Sequence, residues 1–205
     1  MDVLGEDLRP LWATAFYTGL RRGELRALRV RNVDLLAAMI SVEEGWDDEE
    51  GEILPNSEAG IRKVFVLEAL RPLLAPLVED REPDAFVFGN HGPFDPRATL
   101  RKARRAWNAE NRKRQKKAEE AETEAQLVEW FGLHEARHSF STWLDSAGVS
   151  GTRADRYMGH SSKGVADDYR HQLPAQATED AKRLDAFLAG VAAGKVVAIQ
   201  ELQSA

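Results

Sequence analysis

The segment His134-Glu135-Ala136-Arg137-His138-Ser139-Phe140 carries more structural information than any other part of this chain of 205 residues. His134 and Arg137 stand three residues apart, so a helix places both side chains on one face. The apolar positions of the same helix continue at Phe140, Trp143 and Leu144. The spacing predicts an amphipathic helix that starts at His134 and is ended by Gly148. Taken alone, this is equally well a polar helix start above an apolar core.

Two other segments carry side chains of the same kinds. Thr18-Gly19-Leu20-Arg21 puts an arginine directly before a predicted helix, and Gly159-His160 ends another helix, with Tyr169 nine residues further on. Arginines bind phosphate, histidines transfer protons near neutral pH, and tyrosine can form a covalent intermediate. Each residue alone has an ordinary explanation, as a surface arginine, a helix-capping histidine or a packing tyrosine. Together they are the groups needed to cut a phosphodiester without a metal ion.

In this order and spacing the three segments resemble the motifs of the tyrosine recombinases, the phage integrase family. The first is similar to the family motif over Tyr17–Leu25, the second over His134–Phe140 and the third over Met158–Ser162, and the resemblance extends from about Leu11 to His171. It implies five catalytic residues: Arg21, His134, Arg137, His160 and Tyr169. It also implies that Glu24 supports the site.

The resemblance further implies a mechanism and its partners. Tyr169 would attack a phosphate of double-stranded DNA and form a 3′-phosphotyrosyl link, with no metal ion or other cofactor. Recombination would require a homotetramer on two duplexes. We expect a catalytic domain over residues 1–173 and a C-terminal helix and tail over residues 174–205, a candidate contact with a neighbouring protomer. The N-terminal DNA-clamping domain of the family would be absent. A cytoplasmic location is expected, since no segment resembles a signal peptide or a membrane span.

One position departs from the family pattern. Pro55–Val64 resembles the turn on which the family carries a lysine that protonates the leaving 5′ oxygen, and Asn56 stands at the position of that lysine. An asparagine amide cannot act as a general acid near neutral pH. Lys63 is a candidate substitute. The alternative interpretation is therefore a DNA-binding relative that keeps the fold but has impaired chemistry, and a weaker third one is a topoisomerase-like relaxing activity.

Charge is unevenly distributed along the chain. The net charge of −6 alone argues against a nucleic-acid partner, because DNA affinity depends on phosphate neutralisation. However, residues 39–58 carry only acidic charges, whereas residues 97–117 are strongly basic. The basic stretch is either a DNA-contacting surface or a solvated helix face. The predicted DNA contacts are Arg62, Arg101, Lys102, Arg104 and Arg105.

Periodicity and turn residues predict an α+β fold that is mostly helical, with helices around one small antiparallel sheet. Met39–Val42 and Ile61–Leu67 alternate and are predicted strands, separated by an acidic turn. A helix after Glu68 contains Pro72 and Pro76 and is expected in shorter pieces. A long charged helix starts at Ala98, and its second half, from Lys113 to Glu124, is expected to protrude or to be a disordered loop.

Overall fold

The computed structural model describes residues 3–55, 60–160 and 174–193. Within these ranges the helices are α1 (Arg9–Thr18), α2 (Arg22–Ala27), α3 (Arg71–Val78), α4 (Pro96–Glu120), α5 (Leu133–Ser146), α6 (Gly151–Met158) and α7 (Pro174–Ala192). The strands are β1 (Val33–Asp34), β2 (Met39–Val42), β3 (Gly45–Asp47), β4 (Gly51–Ile53) and β5 (Arg62–Phe65). The predicted fold class, mostly helical with small antiparallel sheets, is confirmed.

Three of the strands form one antiparallel sheet in the order β1-β2-β5. Ile40 of β2 lies opposite Val64 of β5, and both are fully buried. Strand alternation sends Arg62 and Val64 to the buried face, while Lys63 between them is exposed. The two strands that the sequence predicted are therefore correct, and their inner face is part of the core.

The acidic stretch was predicted as a turn, which is incomplete. It folds into a separate antiparallel pair, in which Gly45 lies opposite Ile53. Trp46 packs its ring edge-on against Phe86, with 5.8 Å between the ring centroids. Three arginines neutralise part of the acidic charge through ion pairs: Arg26 with Asp48, Arg29 with Glu44 and Glu52, and Arg31 with Glu44. These ion pairs reduce the repulsion between the carboxylates, and the contact of Trp46 with Phe86 adds apolar packing. Together they allow a hairpin to form in this acidic segment.

Helix α1 crosses the core and delivers the chain to the first motif. Trp12 is fully buried, and its indole N–H donates to the Phe131 carbonyl at 3.1 Å. Gly19 ends the helix with φ of 63°. A Cβ at Gly19 would lie 2.4 Å from Cδ1 of Phe140 on α5, so both backbone conformation and space require glycine. The close packing of α1 on α5 thus places Arg21 beside the second motif.

For α3 the predicted break is wrong, and for α4 the structure removes one of the two predicted alternatives. Helix α3 is continuous over Arg71–Val78, because Pro72 lies in its first turn and Pro76 on its exposed side. Helix α4 remains helical through Glu120, so its second half is not a disordered loop. The chain that returns along α4 contacts that half, where Nη1 of Arg114 donates to the Gln126 carbonyl at 3.2 Å.

Helix α7 packs on its own chain. Leu184 is fully buried, and the buried carboxylate of Asp180 accepts from the Tyr157 hydroxyl of α6 at 2.8 Å. The other oxygen of Asp180 lies 3.4 Å from the Arg153 guanidinium. The described part of the C-terminal segment is thereby fastened to α6. Across the described ranges, no helix combines the length and apolar character that crossing a membrane demands.

Candidate active site

Arg21 lies on the turn between α1 and α2. Its backbone N–H donates to Oε2 of Glu24 at 2.7 Å, and its Nη1 donates to Oε1 of the same carboxylate at 2.9 Å. Its Nη2 donates to the Gly159 carbonyl at 3.2 Å. The side chain is still 44% exposed. The Arg21 guanidinium is therefore fixed at the end of α6 with N–H groups left for a ligand.

The Arg62 guanidinium binds the Glu24 carboxylate. The two side chains form a bidentate pair, with Nη1 to Oε1 at 2.9 Å and Nη2 to Oε2 at 2.8 Å. Burial would raise the pKa of the Glu24 carboxyl, but the hydrogen bonds and charge of Arg62, with the bonds from Arg21, hold this pKa below its ordinary value. The supporting role predicted for Glu24 has a clear structural basis.

Arg62 itself was predicted as a DNA contact, but the burial of its side chain is inconsistent with that role. Only 2% of its side chain is exposed. Its Nε donates to the Tyr157 carbonyl at 2.7 Å, and Nη1 also donates to the Gly60 carbonyl at 3.1 Å. A guanidinium committed in this way cannot reach a DNA backbone. We reassign Arg62 to the support of Glu24 and hence of Arg21.

Arg137 is buried on α5 and contacts the same helix end as Arg21. Its Nη1 donates to the Gly19 carbonyl and its Nη2 to the Met158 carbonyl. Burial, assisted by the charge of Arg21, lowers the pKa of the Arg137 guanidinium to about 10, so it stays positive at neutral pH. Arg137 and Arg21 donate to the carbonyls of consecutive residues, Met158 and Gly159. The arginines of the first two motifs are thus brought together.

His160 follows directly on this helix end. Gly159 ends α6 in the left-handed conformation, with φ of 63°, and turns the chain so that the His160 ring faces Arg137. The His160 Nε2 lies 3.4 Å from Nη2 of Arg137, and its Nδ1 lies 3.2 Å from Oδ1 of Asp155. A guanidinium only donates, so Nε2 accepts and Nδ1–H donates to Asp155. Asp155 therefore sets the orientation of the third-motif histidine.

His134 stands in the first turn of α5 and is exposed. Its Nε2 lies 2.9 Å from Nε2 of His138, one turn further along the helix. The start of α5 is capped by Glu135, whose Oε2 accepts from the Gly132 N–H at 3.1 Å. His134 lines the same cavity as both motif arginines.

That cavity has a volume of about 750 Å³. Basic side chains from three parts of the chain line it, together with Trp130 and the start of α5: Arg21, Arg22, Arg101, Arg104 and Arg137. A smaller cavity of about 330 Å³ lies on the other side of Arg21, between the β3–β4 hairpin and Pro55. An anion that enters the larger cavity meets several cations in a partly enclosed site, where their attraction is stronger than in open water.

The basic residues of α4 divide into two groups. Arg101 and Arg104 line the cavity, and the Arg104 guanidinium lies 4.3 Å from the centroid of the Trp130 ring. Lys102 forms an ion pair with Asp7 instead, and Arg105 is exposed. Helical spacing explains the division, since residues three apart share a face. Of the four predicted DNA contacts on this helix, two belong to the site.

Two predicted residues, Tyr169 and Asn56, lie outside the described residues. The candidate substitute Lys63 is described, and it lies on the face of β5 opposite to Arg62. Because Arg62 points to Glu24, Lys63 points away from the arginine cluster.

A family model described as the phage integrase family matches residues 5–176. The chain belongs to the phage integrase family. A comparison with curated proteins gave no match.

Several solved structures share the fold of this chain. The Tn1549 transposon integrase, in complex with circular intermediate DNA, is 22% identical with a TM-score of 0.52, over 85% of this chain and 59% of that one. The integrase from mycobacterium phage Brujita is 15% identical with a TM-score of 0.57, over 89% and 53% of the two chains. XerA recombinase is 20% identical with a TM-score of 0.50, over 85% and 55%. The chain thus spans less than two thirds of these structures.

Sequence reasoning missed three residues that shape the site. Arg62 was assigned to DNA, although its place on the inner face of an alternating strand was a signal of burial. Asp155 and Trp130 were not singled out, yet they orient His160 and Arg104. Asp155 lies five residues before His160 near the end of a helix, and no local pattern marks such a partner. These contacts depend on tertiary structure.

Proposed function

We propose that this chain is the catalytic domain of a site-specific DNA recombinase, which cuts and rejoins DNA through a 3′-phosphotyrosyl link to Tyr169. One observation carries the proposal: the guanidiniums of Arg21 and Arg137 meet at the end of α6, beside His160. Two arginines and a histidine around one point suit a phosphate, whose oxygens accept several hydrogen bonds at once. The family membership of the chain supports the same chemistry.

In this proposal the arginines stabilise the charge that develops during attack. As Tyr169 Oη bonds to phosphorus, negative charge builds on the non-bridging oxygens, and fixed guanidiniums lower the energy of that state. Arg21 and Arg137 are already held by backbone carbonyls and by Glu24, so little reorganisation is needed. His160 would donate to the same phosphate once its Nε2 is protonated.

Protons and electrons balance as follows. The Tyr169 proton passes to His134, the new P–O bond forms, and the bond from phosphorus to the 5′ oxygen breaks. The departing 5′ oxygen takes a proton from solvent and becomes a hydroxyl. In rejoining, a 5′-hydroxyl loses its proton to solvent as it attacks the phosphotyrosyl link, and His134 returns its proton to the released Tyr169. The bond energy is conserved, so neither ATP nor a metal ion is required.

Double-stranded DNA is the proposed partner, and synapsis of two duplexes would use four copies of the chain. Arg101 and Arg104 extend the cationic lining from the two motif arginines toward the surface. This continuity supports a DNA path along α4. Helix α7 lies on its own chain here, so its contact with a neighbouring protomer stays a proposal.

The test is formation of a covalent protein–DNA complex. A labelled pool of nicked duplexes, with randomised sequence around the nick, would be incubated with the protein and separated under denaturing conditions. We expect a retarded band that disappears in Tyr169→Phe and in Arg137→Ala. Tyr17→Phe is the matched control, since it also removes one tyrosine hydroxyl, and it should keep the band. A band that persists in Tyr169→Phe would contradict the assigned nucleophile.

A second candidate function is DNA binding without cleavage. It is favoured by Asn56 at the position of the family lysine and by the exposed, outward face of Lys63. Under this alternative the duplex pool is bound with strong salt dependence, while no covalent band forms in any variant.

A further inference from the structure

His138 has no role in the mechanism above, yet its ring contacts the proposed base. The Nε2 atoms of His134 and His138 are 2.9 Å apart, and the ring planes are nearly perpendicular, at 89°. Two imidazole nitrogens at this distance form a hydrogen bond only if one is protonated and the other is not. The two residues lie four apart on α5, so the helix itself holds them together.

The direction of this hydrogen bond determines whether His134 can act as a base. If His138 donates, the Nε2 lone pair of a neutral His134 is occupied and its Nδ1 carries the ring proton. No lone pair then remains for an incoming proton. If His134 donates through Nε2–H, its Nδ1 is unprotonated and free. Only the second arrangement combines the observed contact with a working base.

We propose that His138 is a positioning residue for strand cleavage: its Nε2 accepts the Nε2–H of His134 and so makes Nδ1 of His134 the atom that takes the tyrosine proton. This inference rests on the proposed function. When the proton arrives at Nδ1, the His134 ring becomes positive and its hydrogen bond to His138 becomes charge-assisted, hence stronger. His138 thus orients and stabilises the base, the role that the third group has in a catalytic triad.

The surroundings offer few other acceptors to the His134 ring. The cavity that His134 lines carries five arginines, whose side chains only donate hydrogen bonds. Glu135 also lines the cavity, but it accepts from the Gly132 N–H at the helix start. Of the described residues, only His138 forms a hydrogen bond with the His134 ring. The His138 ring is also exposed, so water can solvate the positive charge of the histidine pair.

Two substitutions distinguish the loss of the hydrogen-bond acceptor at position 138 from a change in side-chain volume. His138→Leu removes the acceptor, and we expect single-turnover cleavage of the nicked duplex pool to slow about 10-fold or more, a part of the usual contribution of a general base. His138→Gln supplies an amide oxygen that accepts the same bond, and it should recover most of the rate. Binding of the pool and the thermal midpoint should be unchanged in both. Full activity of His138→Leu, or equal slowing by Gln and Leu, would overturn the proposal.

A double substitution and a spectroscopic measurement complete the test. In a His134→Ala background, His138→Leu should cause no further loss, because its effect acts through His134; an undiminished loss would overturn the proposal. Nitrogen-15 NMR of the imidazoles reports the tautomer without any catalysis. We expect His134 to be protonated at Nε2 in the unmodified protein and to become a tautomer mixture in His138→Leu. Observation of an Nδ1-protonated His134 would contradict us, whereas absence of cleavage by the unmodified protein would contradict only the proposed function.

Discussion

Arg62 and Glu24, 38 residues apart in sequence, form a buried bidentate ion pair directly beneath Arg21. The same two carboxylate oxygens accept from the backbone and side chain of Arg21. The position of one motif arginine is therefore determined by a second arginine that never meets the solvent.

Removal of Arg62 should destabilise the fold strongly. Arg62→Leu leaves Glu24 as a buried carboxylate without its main partner, a defect that typically costs about 3–5 kcal/mol. The free energy of unfolding from urea titration measures it. Arg31→Leu is the matched control, since Arg31 also pairs with carboxylates but at the surface, where such pairs contribute about 0–1 kcal/mol. Similar losses for both variants would contradict the internal role of Arg62.

The same pair predicts the acid response of the fold. The pKa of Glu24 is lower in the folded protein than in the unfolded chain, so its stabilisation is complete above the ordinary carboxyl pKa. It is lost as pH falls through the lowered folded value, where the carboxylate becomes protonated. We expect Glu24→Gln to be less stable than the unmodified protein at pH 7, with a difference that narrows at acid pH. Thermal midpoints between pH 7 and pH 3 would show it; a constant difference would refute the linkage.

Gly19 should tolerate no side chain. Gly19→Ala forces a left-handed backbone, at about 1–2 kcal/mol, and places its Cβ against the Phe140 ring on α5. Gly148→Ala is the control, because Gly148 also has positive φ, 75°, but nothing lies near its Cβ position. We expect Gly19→Ala to lower the free energy of unfolding well beyond Gly148→Ala. Equal losses of unfolding free energy in the two variants would mean that α1 and α5 can move apart to accommodate the added methyl group.

The two groups of basic residues on α4 should differ in DNA binding. Replacing both Arg101 and Arg104 with Ala should weaken binding to all sequences and reduce the slope of log affinity against log salt by about one per lost phosphate contact. Replacing both Lys102 and Arg105 removes the same charge, yet it should change the slope less, because Lys102 is paired with Asp7. Fluorescence anisotropy over a salt series measures both slopes. Identical slopes would assign α4 to general electrostatic attraction.

Asn56 should limit the rate of cleavage. If it occupies the position of the family lysine, Asn56→Lys supplies a general acid, which is worth about 10²–10⁴-fold in rate. The gain should vanish on duplexes whose 5′ bridging oxygen is replaced by sulfur, since a thiolate leaves without a proton. Lys63→Ala is the control, and its outward orientation predicts no loss. A loss in Lys63→Ala would instead make Lys63 the proton donor.

Sequence reasoning was sufficient for features that depend on residues close together in the chain. The i, i+3 spacing of His134 and Arg137 and the apolar stripe behind them predicted α5, and alternation predicted β2 and β5. The hairpin inside the acidic stretch was not predictable, because its stability depends on arginines distant in sequence and on the contact of Trp46 with Phe86. The same holds for the partner of Arg62. Strand alternation places Arg62 on the same face as Val64, but no local pattern marks Glu24 as the group that it meets there.

The arginine contacts at the end of α6 join parts of the chain that are far apart. Arg21 reaches Gly159 across 138 residues, and Arg137 reaches back to Gly19 across 118. Closing such long loops has an entropic cost, so we expect these contacts to form late in folding. The cluster of Arg21 and Arg137 at the end of α6 would then assemble late, and we expect amides around Gly19 and Met158 to exchange their hydrogens only through global opening. If the chain has the proposed function, a nascent or partly folded copy would have no assembled site with which to attack DNA.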